Sequence, residues 1–190
     1  MGKFLELNEE MYRANATLTF KHVYSSEWYS WPYMARPIYY WVHKNSADTA
    51  SLVESKIYLL GNPFIYWLSG LAVALLFMYM VCKSLNQRSL SWKGYEVPAF
   101  LLIGYLANLL PFIFIGRVMF LYHYLSALIF AIIILAYLID QMKVSKAKTS
   151  VIIALIVLFG ASFIFFSPLS YGLPMGTKQQ NERFWFKSWM

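Results

Sequence analysis

One cysteine in 190 residues, Cys82, rules out an internal disulfide framework and any metal site built on paired thiolates. No CxxC, HExxH, GxGxxG, Walker-type loop or GxSxG occurs and there are only three histidines, so neither a metal nor a nucleotide site has support. Charge is scarce as well, at 13% of residues against 59% hydrophobic and 19% aromatic, a balance that excludes a disordered chain. Cys82 itself closes an apolar run and reads as a packing residue.

The scarcity of charge is uneven. Pro63–Cys82, Val97–Gly116, Val118–Ile139 and Val151–Phe166 contain no Asp, Glu, Lys or Arg, where average composition would place roughly ten across these 78 positions. A helix rises ~1.5 Å per residue, so ~20 apolar residues cross a ~30 Å hydrocarbon core, and lipid leaves no backbone polar group unpaired. A soluble bundle would need polar residues on one face every three to four positions, which these stretches lack. The fold class is therefore an all-α membrane protein with four transmembrane helices at 63–82, 97–116, 118–139 and 151–166, Ser167–Ser170 completing the exit of the short fourth.

A net charge of +7 invites a nucleic-acid reading, but the basic residues sit mainly in short connections, and no nucleic-acid partner is expected. Lys83, Arg88 and Lys93 separate spans one and two; Lys143, Lys146 and Lys148 separate spans three and four. By the positive-inside rule both connections are cytoplasmic, which puts both termini and the Gly116–Arg117 turn outside a cell membrane crossed several times.

Residues 1–62 carry six basic and six acidic residues and no signal-peptide pattern. An external segment of this size is translocated by a reverse anchor, or the chain is the carboxyl-terminal part of a longer protein; the second is expected. Leu7, Met11, Ala14 and Leu18 form one apolar helical face beside Glu6, Glu9, Glu10 and Arg13, for a helix lying on the membrane or against a globular neighbour. Tyr24–Trp41 holds eight aromatics and two prolines, too broken for a long helix, and should dock at the interface. After a loop at Ser46–Asp48, alternation over 53–59 predicts a short strand, and Pro63 suits a first helical turn. The domains are thus an external interfacial segment (1–62), a four-span membrane domain (63–170) and an external aromatic tail (171–190).

Five pieces in order, SSEWYSWPYMARPIYYW (25–41), IYLLGNPFIYWL (57–68), LPFIFIGRVMFLYHYLSAL (110–128), FFSPLSYGLP (165–174) and FWFKSWM (184–190), resemble the carboxyl-terminal four-span region of the protein O-mannosyltransferases. The long globular insertion of fungal and animal members has no counterpart, as in a bacterial member or a fragment starting after the insertion. The resemblance implies a GT-C type glycosyltransferase that moves mannose from a polyprenyl-phosphate donor to Ser or Thr hydroxyls of a protein acceptor. The donor is a substrate, and no cofactor or metal is implied. Implied partners are membrane lipid, the polyprenyl-phosphate sugar, the acceptor and the amino-terminal half of the same enzyme. The family's catalytic acidic pair lies in that half, so no catalytic residue is named in this chain. The resemblance gives Trp31, Pro32, Arg36, Pro37, Gly61, Asn62, Pro63, Pro168 and Gly172 structural roles.

A lipid phosphate at an external interface calls for a partly shielded cation. Arg117 is the only charged residue between Glu96 and Asp140. It keeps the family's pattern with His123 and Tyr124, and these three are the candidate donor-phosphate residues. On a helix starting at Arg117, Tyr124 returns to within ~20° of it while His123 points ~120° away. A joint site then requires either a non-helical turn at Gly116–Arg117 or two separate roles. Arg36 is a second external cation, to pair with a carboxylate or hold the aromatic segment; Asn108 reads as an interhelical hydrogen bonder and Pro111 as a kink. Asn15–Ala16–Thr17 reads as a glycosylation sequon. The alternative function is a non-catalytic small membrane protein binding polyprenyl phosphate or a partner subunit; a transporter is weaker, because no span centre carries an ionisable residue.

Overall fold

The computed structural model describes residues 2–17, 20–44, 53–86 and 94–190. The Ser46–Asp48 loop, Leu18, Arg88, Lys93 and the side chain of Asn15 lie outside the described residues. α1 (Gly2–Ala16) leads to β1 (Ile38–Lys44), β2 (Val53–Leu59), α2 (Pro63–Asn86) and α3 (Glu96–Leu109). α4 (Leu125–Asp140), α5 (Lys146–Tyr171), β3 (Met175–Gly176) and α6 (Thr177–Asn181) complete the chain.

Four helical stretches, Pro63–Leu85, Glu96–Phe114, Leu121–Asp140 and Lys146–Tyr171, are long and apolar enough to cross a membrane. α4 is the centre of the bundle, packed on both α2 and α3. Ala127, Ala131 and Ile134 are fully buried along it, and the two alanines let neighbouring backbones approach closely. α5 packs on α2 and β2, and only 11% of its apolar window is buried within the chain, so most of its surface faces away from the other described elements. Cys82 is exposed near the end of α2 rather than packed among the described helices, so it is not the packing residue expected.

At one end of the bundle β1, β2 and β3 form an antiparallel sheet in that order, with Tyr39 opposite Tyr58, Trp41 opposite Ile57 and a bulge between Tyr39 and Trp41. The strand expected at 53–59 is β2; β1 was not foreseen inside the aromatic segment. Burial pushes the Tyr58 phenol up to about 12, assisted by Tyr24, Tyr39 and Glu54.

The tail is a folded clamp. Gln180 is buried, its Oε1 accepts from Lys56 Nζ (2.9 Å), and its Nε2 donates to the Glu54 and Met175 carbonyls (3.2 Å each). Trp189, 1% exposed, donates its indole N–H to the Met34 carbonyl at 2.9 Å. α1, in contrast, leaves Phe4, Leu5, Leu7, Met11 and Tyr12 exposed.

Several motif residues hold this end together. Asn62 caps α2, its Oδ1 accepting from the Phe64 and Ile65 amides (3.2 and 3.4 Å), while its Nδ2 donates to the Phe159 carbonyl of α5 (2.9 Å). A Cβ on Gly61 would run into the Tyr66 ring. Pro37 and Pro63 are fully buried, and Pro32 faces Gly70 of α2. Pro168 sits inside α5 and cannot donate to the Ile164 carbonyl; the Ser167 hydroxyl does so instead (2.9 Å). Gly172 ends α5 at φ 66°, left-handed, with Ile57 2.9 Å from where a Cβ would stand.

Candidate functional site: the Arg117–His123 turn

Pro111 has no amide hydrogen for the carbonyl four residues back, and α3 tightens there into a 3-10 turn over Leu110–Phe114. The kink expected at Pro111 thus takes the form of an early end to the α-helix. Ile115 is extended (φ −93°, ψ 109°), as is Phe120 (φ −143°, ψ 160°), and helical structure resumes at Leu121 with a second 3-10 turn, Leu121–Tyr124. The segment expected to be helical from 118 therefore contains a non-helical link instead.

That link reverses the helical-wheel expectation. Arg117 Nη2 lies 3.5 Å from His123 Nε2, although a continuous helix would have turned them apart. His123 Nδ1 lies 2.9 Å from the Phe120 carbonyl and 3.2 Å from the Phe120 amide nitrogen, so the imidazole tautomer decides which of the two it bonds. With Nδ1–H donating to that carbonyl, the Nε2 lone pair faces the guanidinium. Tyr124 points elsewhere: fully buried, its hydroxyl is 3.3 Å from that of Tyr105 and its ring 5.7 Å from that of Tyr66. The structure brings Arg117 and His123 together and leaves Tyr124 in the helix packing.

The aromatic segment closes over the pair. Trp31, fully buried, stacks on His123 (5.9 Å between centroids, 12° between planes) and meets Phe112 edge-on at 5.0 Å. Its indole N–H donates to Ser26 Oγ at 2.9 Å, and the Ser26 amide donates to the Met119 carbonyl in the link at 2.9 Å. Arg117 is partly exposed beside these rings. An anion reaching it would meet a partly shielded guanidinium beside His123, a setting that strengthens charge-assisted hydrogen bonds.

Sequence reasoning missed the part Trp31 plays at this turn, giving it a structural role only; two aromatic-rich segments signalled contact but not which ring met which. Asn108 donates to the Gly104 carbonyl of its own helix (2.9 Å) rather than across helices. Arg36 does not pair with a carboxylate through Nε, which is buried with no hydrogen-bond partner among the described residues. Among those residues no three His, Cys, Asp or Glu gather as they would around a metal ion.

Comparison with known proteins identifies the family of the chain. The family model for the C-terminal four TMM region of protein-O-mannosyltransferase matches residues 1–189. The chain is 29% identical over 203 residues to dolichyl-phosphate-mannose–protein mannosyltransferase 1 of Saccharomyces cerevisiae, covering all of this chain and 24% of that protein. It is 32% identical over 193 residues to protein O-mannosyl-transferase 1 of Rattus norvegicus, covering 90% of this chain and 24% of the relative. The solved S. cerevisiae protein O-mannosyltransferase Pmt1-Pmt2 complex bound to the sugar donor superposes with a TM-score of 0.82 at 26% identity, over 99% of this chain and 26% of that one. The chain thus spans about a quarter of the length of its relatives. Four apolar helices, a sheet and clamp gathered at one end, and a match along nearly the whole chain make this multi-pass membrane protein a member of the protein O-mannosyltransferase family, corresponding to its carboxyl-terminal four-span region.

Proposed function

We propose that the chain acts as the carboxyl-terminal part of a glycosyltransferase that moves mannose from a polyprenyl-phosphate donor to Ser or Thr hydroxyls of a protein. Arg117 takes the donor phosphate, with His123 positioning its guanidinium. The carboxylate that accepts the hydroxyl proton comes from the amino-terminal half of the enzyme, and no cofactor or metal takes part. Both termini, the sheet and the Arg117 turn face the outside of a cell membrane.

The observation that carries this reading is the 3.5 Å approach of Arg117 to His123 across a non-helical link. Arg117 is fixed in charge and donates to phosphate oxygens as the carrier becomes a leaving group. His123, with Nε2 toward Arg117, orients the guanidinium while Trp31 stacks on its ring. Membrane lipid surrounds the four spans, and the carrier's polyprenyl tail has the same surroundings. Support for a lipid-linked donor also comes from the S. cerevisiae relative, which is named for dolichyl-phosphate-mannose, and from the solved complex, described as bound to the sugar donor.

The test is a titration of polyprenyl phosphate into the chain in lipid nanodiscs, read by native mass spectrometry. Losing one charged hydrogen-bond partner costs about 1.5–3 kcal/mol, so Arg117→Ala should weaken binding by roughly 10- to 150-fold. Unchanged affinity would reject the assignment.

A further inference from the structure

Next to the Arg117–His123 turn lies a second feature, an open cavity of about 620 Å³ against the amino-terminal segment. Trp31 links the two: its ring stacks on His123, and its indole N–H bonds Ser26 in the cavity wall. Lys21, Glu27, Tyr29, Tyr33, Arg36 and Ser188 also line it. The Arg36 Nε is buried and has no hydrogen-bond partner among the described residues. A guanidinium cannot shed its proton, so Arg36, partly exposed in the cavity wall, brings a fixed positive charge and hydrogen-bond donors to the cavity.

Arg36 is also held in place. The Ser188 hydroxyl donates to the Ala35 carbonyl (2.5 Å), Trp189 donates to the Met34 carbonyl, and Pro37 follows, fully buried. Met34 has φ 52°, a left-handed turn that the tail clamp pins. The cation therefore sits on a preorganised backbone, as a recognition residue requires.

The lining argues for one class of ligand. A lone phosphate would meet the Glu27 carboxylate as well as the cations. A polypeptide offers both donors and acceptors, which match Lys21, Arg36 and Glu27 together, and the half-exposed rings of Tyr29 and Tyr33 supply apolar contact for its side chains. The volume falls within the ~300–1,000 Å³ of sites that hold drug-sized ligands, enough for a short run of residues.

We propose that this cavity is a polypeptide subsite in which Arg36 binds a carbonyl or carboxylate oxygen of the segment flanking the hydroxyl to be modified. Acceptors with an acidic residue near the Ser or Thr are preferred. Calling that polypeptide the acceptor rests on the function proposed above; the cavity's preference for a peptide does not.

The experiment uses the full chain in lipid nanodiscs and two separate probes, a fluorescent Ser/Thr peptide carrying one Glu and polyprenyl phosphate. Wild type should bind the Glu peptide about tenfold more tightly than its Lys counterpart. Arg36→Gln should remove that preference while polyprenyl phosphate binding stays within about twofold, and Arg36→Lys should fall between. Tyr33→Ala alters an exposed ring, so it guards against a folding defect in the Arg36 variant; it should weaken the peptide only. The inference is overturned if no peptide binds, if Arg36→Gln and Tyr33→Ala leave peptide binding unchanged, or if inorganic phosphate displaces the peptide. Peptide binding that depends on Arg36 without polyprenyl phosphate binding would sink the donor assignment and leave the subsite standing.

Discussion

Trp31→Ala should damage both the fold and the donor site, because one ring serves both. The indole is fully buried, stacks on His123, touches Phe112 edge-on at 5.0 Å and donates to Ser26. Truncating a buried Trp costs about 3–5 kcal/mol. At about 2–4 °C per kcal/mol for a chain of this size, the thermal midpoint should fall by roughly 6–20 °C. Trp31→Phe keeps an apolar ring but loses the bond to Ser26 and part of the indole's packing volume, for about 1–3 kcal/mol and a drop of roughly 2–12 °C. Both are read by thermal unfolding in lipid nanodiscs, followed by polyprenyl phosphate titration below the lower midpoint. The alanine variant, with His123 no longer stacked, should bind about fivefold more weakly, equivalent to one net hydrogen bond. A midpoint lowered equally by both substitutions, or donor affinity untouched by alanine, would refute the coupling of aromatic segment to turn.

Tyr124→Phe removes a hydroxyl that lies 3.3 Å from the Tyr105 hydroxyl; stability should fall by about 0.5–1.5 kcal/mol with donor affinity unchanged, and a tenfold affinity loss would restore Tyr124 to the site. Gly172→Ala forces a side chain into left-handed backbone against Ile57, so the midpoint should drop by an amount equivalent to about 1–2 kcal/mol or more, whereas no drop would show that the end of α5 does not rest on the sheet. Gly116 is exposed with open space around it, so Gly116→Cys in a Cys82→Ala background should react with an impermeant maleimide from outside intact cells; labelling only after permeabilisation would invert the proposed topology.

The spans were legible because lipid imposes one rule, freedom from charge over about 20 residues, that composition alone exposes. Their packing was not. Asn108 satisfied itself on its own helix, an option that spacing does not distinguish from an interhelical bond. The site was half legible. Position and family pattern singled out Arg117 and His123, but wheel arithmetic joined Arg117 to Tyr124, because it carried a helix through residues 115–120 where the backbone is not helical. Pro111 and Gly116 were the available signals for that break. The tail clamp stayed hidden because Gln180 is polar and reads as surface; its burial depends on Lys56, 124 residues away. β1 was obscured by prolines just before it, although Ile38–Trp41 is the aromatic and β-branched composition that strands favour.

The account stands or falls on whether Arg117 and His123 recognise phosphate as one unit. A double-mutant cycle with Arg117→Ala and His123→Ala, read as affinity for polyprenyl-phosphate mannose, measures this directly. Each single change should weaken binding, and the pair should cost less than the sum by about 0.5–3 kcal/mol. Strictly additive losses, or a His123 variant that binds like wild type, would contradict it.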